Sequence, residues 1–421
     1  MLTISKVRHH LVLIFFVLFL LGFFVIRELK IISNLSLMGL FVLGIFSFVK
    51  NYKTISRKKA LPWLFFTFPL VLHLLQAGYV CSQENWSYYL DTLLLKASFF
   101  ILPFVFMVAH PIKKSYFFKV LSLFFMANVC YSMYVVVHYL LDFEHINQSY
   151  IHAKVIPAPI NHIRYSLMLV TAIVSACYLL LEKFAWGFRF EKTITLFLLS
   201  FLILFLHIFA VRSGLLSFYL LLLVFGTQYF VRRKQPKALI AMLFVIVCLP
   251  LCSYYALPTF KARCRNTMND LCSLQTEQSA NQYSIAGRLI SYKVSYSLWQ
   301  ESPWYGVGVG NLLQKTKARY RRDYPYVNQQ MIKFPHNQFL RYATSFGLLG
   351  LLVFVVGFYF PLFYQKNYQN QFLLMQYLLV TLSFFVEGTL ETMHGLYFSL
   401  AFILLPLWSL KKEGLTPSYN L

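Results

Sequence analysis

The chain has 421 residues, of which 59% are hydrophobic and 12% are charged, and its mean hydropathy is +0.61. A soluble domain carries about a quarter charged residues, so this composition excludes an ordinary soluble protein and indicates a polytopic membrane protein. The net charge of +24 does not indicate nucleic-acid binding, because no basic-aromatic module of a known type is present and most of the cations flank apolar segments.

Twelve apolar segments recur along the chain, and a helix needs roughly 20 such residues to cross a bilayer. They cover residues 11–26, 35–49, 61–80, 93–109, 117–141, 163–181, 193–211, 214–231, 238–257, 337–364, 372–387 and 395–410. The first has a basic start like a signal peptide but no small-x-small cleavage site, so we expect it to remain as the first helix. The predicted fold class is an all-α polytopic membrane protein with about twelve transmembrane helices.

The loops predict the orientation of these helices. Short segments on one side hold twenty Lys and Arg residues, whereas those on the other side hold five. The positive-inside rule therefore predicts that both termini are cytoplasmic and that the long polar stretch 258–335 lies outside. The chain is then divided into helices 1–9 over 1–257, a basic outer loop domain over 258–335 and helices 10–12 over 336–421.

The outer loop is strongly basic. Its 78 residues carry four acids and eleven cations, namely Lys261, Arg263, Arg265, Arg288, Lys293, Lys315, Lys317, Arg319, Arg321, Arg322 and Lys333. Loops longer than about 60 residues translocate largely regardless of charge, so this excess has another cause, and binding an anion is the simplest. Arg212, at the tight outer turn between the seventh and eighth segments, either snorkels to lipid headgroups or contacts a substrate phosphate.

Two local patterns stand out inside the loop. Residues 287–299 have apolar positions at helical spacing, which predicts an amphipathic helix, and a glycine-rich turn follows over 306–310. That turn lacks the spacing of a dinucleotide fingerprint, so it serves either close backbone packing or an anion-binding nest. The basic run 315–322 is either a solvated helix face or a contact to headgroups, and Glu301 is read as a solvated or capping acid.

His336 stands where the chain re-enters the apolar region, between Pro335 and Asn337. A helix that begins at this point presents free N–H groups, which favour anions. A histidine with a pKa near 6.5 can accept a proton at physiological pH. The alternative is that this interfacial histidine is purely structural.

Two further groups of residues are candidate sites. Cys264 and Cys272 can form a disulfide if the loop faces an oxidising compartment. Glu387, Glu391 and His394 have spacings of four and three residues, which predicts one helix face at the outer end of the eleventh segment. Such a face can hold a metal, position an acceptor or pair with the cations of the loop.

The order of several motifs resembles the O-antigen ligase and polymerase superfamily over about residues 195–360. The motifs are Arg212-Ser213-Gly214, Gly287-Arg288 through Trp299, Pro303 to Asn311, Pro335-His336-Asn337-Gln338-Phe339-Leu340 and Gly347-Leu348-Leu349-Gly350. The Pro-His-Asn-x-x-Leu element is the most specific of them. One departure is Val211, where ligases often have Ser before the arginine, and this blurs the subfamily.

The resemblance implies a GT-C-like helical fold with one large periplasmic loop domain between helices 9 and 10. It implies a metal-independent glycosyltransferase of the bacterial inner membrane that needs no cofactor. Such an enzyme moves a glycan from undecaprenyl diphosphate to the lipid A-core of lipopolysaccharide. Arg212 and Arg288 would clamp the diphosphate and His336 would activate the acceptor hydroxyl. We expect further substrate contacts from Asn337, Lys293, Arg319, Arg321 and Arg322, besides contacts with membrane lipids.

Three alternatives stay open at this point. The first is an O-antigen polymerase, which extends the glycan on undecaprenyl diphosphate, and the second is a protein O-oligosaccharyltransferase. These enzymes differ in the acceptor, which the motifs do not specify. The third is a transporter with a basic vestibule, but mid-segment charges are scarce and no internal repeat is visible, which disfavours it.

Overall fold

A computed structural model of the protein describes residues 4–24, 31–79, 83–151, 154–184, 186–272, 284–332 and 334–410. Regular structure in these ranges is helical, and they contain no β-strand. The described part of the chain is therefore all-α, as the composition and periodicity predict.

The described residues form nineteen α-helices, which we number in chain order. The first ten are α1 (Ile4–Leu21), α2 (Ile31–Asn51), α3 (Arg57–Phe65), α4 (Phe68–Leu75), α5 (Gln83–Lys96), α6 (Ser98–Val108), α7 (Lys114–Leu141), α8 (Phe143–Ile151), α9 (His162–Leu181) and α10 (Glu191–Phe209). The others are α11 (Arg212–Leu221), α12 (Thr227–Arg232), α13 (Pro236–Ala256), α14 (Pro258–Cys272), α15 (Ser284–Glu301), α16 (Val309–Asp323), α17 (Gln338–Phe363), α18 (Gln371–Val386) and α19 (Met393–Leu410).

Eight helical stretches among the described residues are long and apolar enough to cross a membrane. They are Ile31–Asn51, Trp86–Val108, Lys114–Leu141, His162–Leu181, Glu191–Phe209, Arg212–Arg232, Pro236–Ala256 and Gln338–Gln369. Three shorter apolar helices accompany them, at Val7–Leu21, Gln371–Val386 and Met393–Ser409. The chain is thus a multi-pass membrane protein, while the count of twelve crossings stays a prediction.

Two of the predicted spans, 61–80 and 337–364, contain a break in the helix. The span 61–80 is divided between α3 and α4, and Pro69 in the first turn of α4 has no N–H to continue the ladder. The span 337–364 is broken at Gly347, whose φ of 69° and ψ of −171° are not helical. Each break makes backbone groups available for bonds outside the helix.

The break in α17 receives the glycine-rich turn that precedes α16. Gly306 and Gly347 both have positive φ, and a Cβ on either would overlap the backbone of the other segment. Backbone hydrogen bonds join the segments from Val307 to Thr344 at 2.9 Å, Gly308 to Ser345 at 3.1 Å, Leu348 to Pro303 at 2.8 Å and Leu349 to Trp304 at 3.4 Å. Because the turn's N–H groups at 307 and 308 are used in this way, close packing rather than an anion nest explains these glycines.

Helices α15 and α16 pack together around a small apolar core in the outer loop region. The predicted helix over 287–299 is confirmed, since α15 covers it entirely. The core is formed by Val294, Leu298, Val307, Leu312, Tyr320 and Val327. This burial fixes which face of α15 points inward and therefore where its polar side chains lie.

Cys264 and Cys272 do not form a disulfide, and both are free thiols in the structure. Both lie on α14, eight residues apart, so the helix separates them by about 12 Å along its axis. A disulfide requires Cα atoms within about 7 Å. The pairing considered from the sequence is therefore wrong, because the residues between them are helical.

The described residues form two compact units. The first takes its residues from the ranges 1–16, 35–111 and 269–411, and the second from 17–34 and 112–268. The change between units at 268–269 falls within the predicted outer domain 258–335, and the three-part division of the chain stays a prediction. Arg288 and His336 belong to the first unit, and Arg212 belongs to the second.

Candidate functional site

His336 pairs with a carboxylate that is 51 residues away in the sequence. Its Nδ1 lies 3.2 Å from Oε2 of Glu387, and the side chains of His336 and Glu387 are 22% and 11% exposed. When Nδ1–H is donated to the carboxylate, Nε2 carries the ring's lone pair. The pair therefore holds the imidazole in the orientation and tautomer that a proton acceptor needs.

Asn337 places His336 at the start of α17. It is the N-cap residue, and its Oδ1 accepts the backbone N–H of Leu340 at 2.9 Å. This bond satisfies one of the free donors at the helix start. The sequence correctly predicted a helix N-terminus here. The cap is a structural role for Asn337, and its proposed contact with substrate stays a prediction.

Tyr292 connects α15 to the His336–Glu387 pair. Its hydroxyl lies 2.8 Å from the carbonyl oxygen of His336 and 3.0 Å from that of Phe385. Burial raises the pKa of Tyr292, Arg288 lowers it and Glu387 raises it, so the hydroxyl stays protonated and can donate. Arg288 is half-buried one helical turn earlier, on the same face of α15. The structure thus brings the helix of Arg288 to His336.

Arg212 begins α11 in the second unit. The preceding residue, Val211, is extended, and Ala210 has a φ of 47° at the end of α10. Burial raises the pKa of the Cys264 thiol, while the charge of Arg212 lowers it. The guanidinium therefore acts electrostatically on α14 within this unit. A shared site with Arg288 and His336 stays a prediction.

The other predicted substrate cations lie on α15 and α16, and the Arg319 side chain is 13% exposed. Lys293, Arg321 and Arg322 are exposed. Arg319 binds Glu301 and reaches Asp323 at 3.4 Å, and Arg322 reaches Asp323 at 2.7 Å. These contacts favour the interpretation of 315–322 as a solvated helix face. Glu301 is an acid in an ion pair rather than a simple solvated one, and contacts of these cations with substrate stay predictions.

The prediction that Glu387, Glu391 and His394 share one helix face is wrong. Helix α18 ends at Val386, Glu387 is extended, residues 389–391 form a short 3-10 helix and His394 lies in α19. Gly388 is the physical reason, because glycine after an apolar helix is a stop signal. Among the described residues, no group of three His, Cys, Asp or Glu side chains is placed to hold a metal ion.

Glu391 instead lies in a buried cluster of charged and amide side chains. Lys96 donates from Nζ to Oε1 of Glu391 at 2.9 Å and to the carbonyl of Leu390 at 2.7 Å, and its side chain is 0% exposed. Nη2 of Arg341 lies 3.8 Å from Oε2 of the same carboxylate. Gln338 donates from Nε2 to Oε1 at 2.7 Å. We call Lys96, Gln338, Arg341 and Glu391 the Glu391 cluster.

Hydrogen bonds of the Glu391 cluster join the segment 387–391 to the first turn of α17. The Gln338 amide bonds in both directions, because its Oε1 also accepts the N–H of Leu390 at 2.9 Å. His336 lies two residues before Gln338, and Glu387 lies four residues before Glu391. The cluster therefore fixes both backbones that carry the His336–Glu387 pair.

Charge balance keeps Glu391 ionised despite its burial. Burial alone would raise the pKa of this carboxyl, but Lys96 and Arg341 lower it to about 2. Arg341 is held in turn by the Tyr88 hydroxyl at 2.6 Å and by the ring of Phe334, 4.1 Å from the guanidinium carbon. With two cations around one carboxylate, the cluster carries net positive charge next to the His336 segment.

The sequence reasoning missed this cluster although a signal was present. Lys96 lies in the predicted span 93–109 and Arg341 in 337–364. Burying a charged residue inside an apolar span costs free energy, so such a residue is by itself a candidate for a functional site. Their partner, Glu391, is grouped in the sequence with Glu387 and His394, and the cations expected to pair with that group are those of the loop rather than Lys96 and Arg341.

The family comparison covers the outer loop region and the start of α17. Residues 194–355 match a family model described as O-antigen ligase. The matched range includes Arg212, Arg288 and His336, and it supports the resemblance to the O-antigen ligase superfamily that the motifs predict. No curated protein sequence matches the chain.

Proposed function

We propose that this protein transfers a glycan from undecaprenyl diphosphate to the lipid A-core of lipopolysaccharide. Its family indicates glycan transfer of the O-antigen ligase or polymerase type. The observation that carries the proposal is the His336–Glu387 pair, to which Tyr292 joins the helix of Arg288. This arrangement puts one proton acceptor close to a helix that bears a fixed positive charge.

The proposed reaction is a single displacement at a sugar carbon. The acceptor hydroxyl oxygen forms a bond to the anomeric carbon while the bond from that carbon to the diphosphate oxygen breaks. Nε2 of His336 takes the hydroxyl proton, and the Glu387 carboxylate stabilises the resulting imidazolium through Nδ1–H. The electron pair of the broken bond leaves with the undecaprenyl diphosphate.

The cations have a separate role in this proposal. Negative charge grows on the diphosphate as it leaves, so a rate gain requires positive charge fixed in advance. Arg288 and Arg212 supply it, because a guanidinium stays charged and binds phosphate oxygens in a bidentate manner. The Glu391 cluster contributes by holding the His336 and Glu387 segments in place, and so its members are positioning residues.

We further propose that the reaction occurs at the periplasmic face of the bacterial inner membrane without a metal or other cofactor. The excess of Lys and Arg in one set of short loops supports cytoplasmic termini. Cysteine labelling from each side of the membrane tests the topology. Activity that disappears on treatment with a chelator, and returns with a divalent ion, would contradict metal independence.

A deletion strain distinguishes this function from its alternatives. For a ligase, long-chain lipopolysaccharide disappears and lipid-linked polymer accumulates. A strain that makes lipopolysaccharide with a single repeat indicates a polymerase. Loss of modified glycoprotein alone indicates a protein O-oligosaccharyltransferase, and either of the last two results rejects the lipid A-core acceptor.

Purified full-length protein tests the residues. Arg288→Ala and Arg212→Ala should each abolish transfer from the lipid-linked donor while the protein remains in the membrane. Arg265→Ala, an exposed cation of the same outer region, is the matched control and should retain transfer. Near-normal transfer by Arg288→Ala or Arg212→Ala removes that residue from the proposed role.

A further inference from the structure

A groove in the second unit has no part in the proposed reaction. It has a volume of about 730 Å³ and lies between α7, the end of α9, the start of α10 and the residues 183–184 and 186–190. Cavities of this size accommodate small-molecule ligands. Its walls are mainly apolar, formed by side chains such as Leu123, Met126, Leu180, Ile194 and Leu198.

The rim of the groove is basic and aromatic. Lys183 and Lys192 line it, together with Trp186, Phe188 and Phe190, and all five are exposed. Tryptophan and lysine of this kind are typical of the level of the lipid headgroups.

The rim segment is held in a defined conformation. The Trp186 indole N–H donates to Oγ of Ser122 at 2.9 Å, and Lys119 lies 5.5 Å from the indole centroid. The rim's own acid, Glu191, accepts the backbone N–H groups of Trp186 at 2.7 Å and Gly187 at 3.1 Å. Its carboxylate is therefore engaged with the backbone, and Lys183 and Lys192 are the cations that line the groove at the rim.

We propose that this groove binds an anionic glycerophospholipid from the surrounding membrane. The apolar walls match an acyl chain and the lysines match a phosphate-bearing headgroup, which is the charge complementarity of basic pockets between membrane helices. A free phosphate would leave the apolar walls unfilled. The proposal is independent of the glycan-transfer chemistry, since no residue assigned to that reaction lines the groove.

Native mass spectrometry of the full-length protein in detergent tests the proposal. Phosphatidylglycerol and phosphatidylcholine with identical acyl chains are titrated against it. We expect preferential retention of phosphatidylglycerol, and Lys183→Gln and Lys192→Gln should each reduce that preference about fivefold. The matched control is Lys237→Gln, an exposed lysine on α13 that does not line the groove and should leave the preference unchanged.

Thr195→Trp, which fills the groove from α10, should reduce retention of both lipids. The proposal is overturned by equal retention of both lipids by the unaltered protein, by an equal loss of preference in Lys237→Gln, or by unchanged phosphatidylglycerol retention in Thr195→Trp. Displacement of phosphatidylglycerol by undecaprenyl phosphate at equal concentration also overturns it, because the groove would then select a polyprenyl chain.

Discussion

Two sets of ion pairs in the first unit have similar chemistry but differ in the solvent exposure of their side chains. In the Glu391 cluster, Lys96 is 0% exposed and its carboxylate partner is 16% exposed. Between α15 and α16, the Glu301 carboxylate is 41% exposed and the Arg319 side chain that it binds is 13% exposed. Both sets join a carboxylate to Lys or Arg within hydrogen-bond reach, so contact geometry does not distinguish them.

Burial makes the two sets energetically different. Removing one partner of a buried pair leaves an uncompensated charge, which costs about 3–5 kcal/mol, whereas an exposed pair contributes about 0–1 kcal/mol. In the stretch 258–335, Lys315, Arg319 and Arg322 form ion pairs with the exposed or partly exposed carboxylates of Glu301 and Asp323. Among the described residues, the buried cations are Lys96 and Arg341, and both lie outside this basic stretch.

The largest effect should come from the partly buried histidine pair. His336→Ala removes the proposed proton acceptor, and we expect transfer to fall by about 10²–10⁴-fold in an assay with purified protein and lipid-linked donor. His145 also lies 3.0 Å from a carboxylate, that of Asp142, but it is 75% exposed. His145→Ala is thus the matched control and should retain activity. Equal losses of transfer in both variants would show that burial does not determine which histidine–carboxylate pair matters for activity.

The next largest effect should be on stability. Lys96→Met leaves Glu391 with Arg341 as its remaining cation, at 3.8 Å, and we expect a loss of about 3 kcal/mol in the free energy of unfolding. Lys114→Met, at an exposed pair with Glu182, should cost less than about 1 kcal/mol. Thermal unfolding in detergent measures both. A Lys96→Met protein as stable as the unaltered one would remove the energetic distinction on which the comparison rests.

A smaller effect tests whether the Glu391 cluster positions the reacting pair. Gln338→Ala should lower kcat about tenfold with little change in KM, as is usual for residues that orient a functional side chain. If Gln338 acts through the His336–Glu387 pair, its substitution should have almost no further effect in a Glu387→Ala background. Independent, multiplicative losses in the double variant would assign Gln338 to general stability instead.

The smallest effect should come from the ion pair between Glu301 at the end of α15 and Arg319 on α16. Glu301→Gln removes the exposed carboxylate that binds Arg319, and we expect a stability change within about 1 kcal/mol and transfer within about twofold. Unfolding and transfer assays on the same preparation measure it. A loss as large as that in Lys96→Met would mean that the outer helices depend on this pair.

Local features of this fold follow from the sequence, whereas its long-range contacts do not. The helix over 287–299 and the helix start after His336 depend on neighbouring residues, and the sequence predicts them. For the glycine turn the sequence leaves packing and an anion nest as alternatives, because its partner segment 344–349 is distant in the sequence. The His336–Glu387 pair joins residues 51 positions apart, and Lys96 reaches Glu391 across 295 positions. Apolar periodicity places a residue within a helix but does not specify which distant helix packs against it.

The wrong predictions have local causes of their own. Cys264 and Cys272 were considered partners because both lie in a polar stretch, which the structure shows to be continuous helix up to Cys272. Glu387 and Glu391 were assigned to one helix because the spacing fits, although Gly388 between them favours a helix end. In both cases the secondary structure decides which side chains come into contact. Sequence spacing alone predicts the wrong contacts.

The hydrogen-bonded contact between the glycine turn and the break in α17 has a practical consequence for expression. A fragment limited to residues 258–335 would lose four backbone hydrogen bonds to the segment 344–349 and would expose the surface that Gly347 covers. Buried backbone groups without partners are costly, so such a fragment should aggregate or unfold in solution. Antibodies or binders directed at this region are best raised against the intact, membrane-embedded chain.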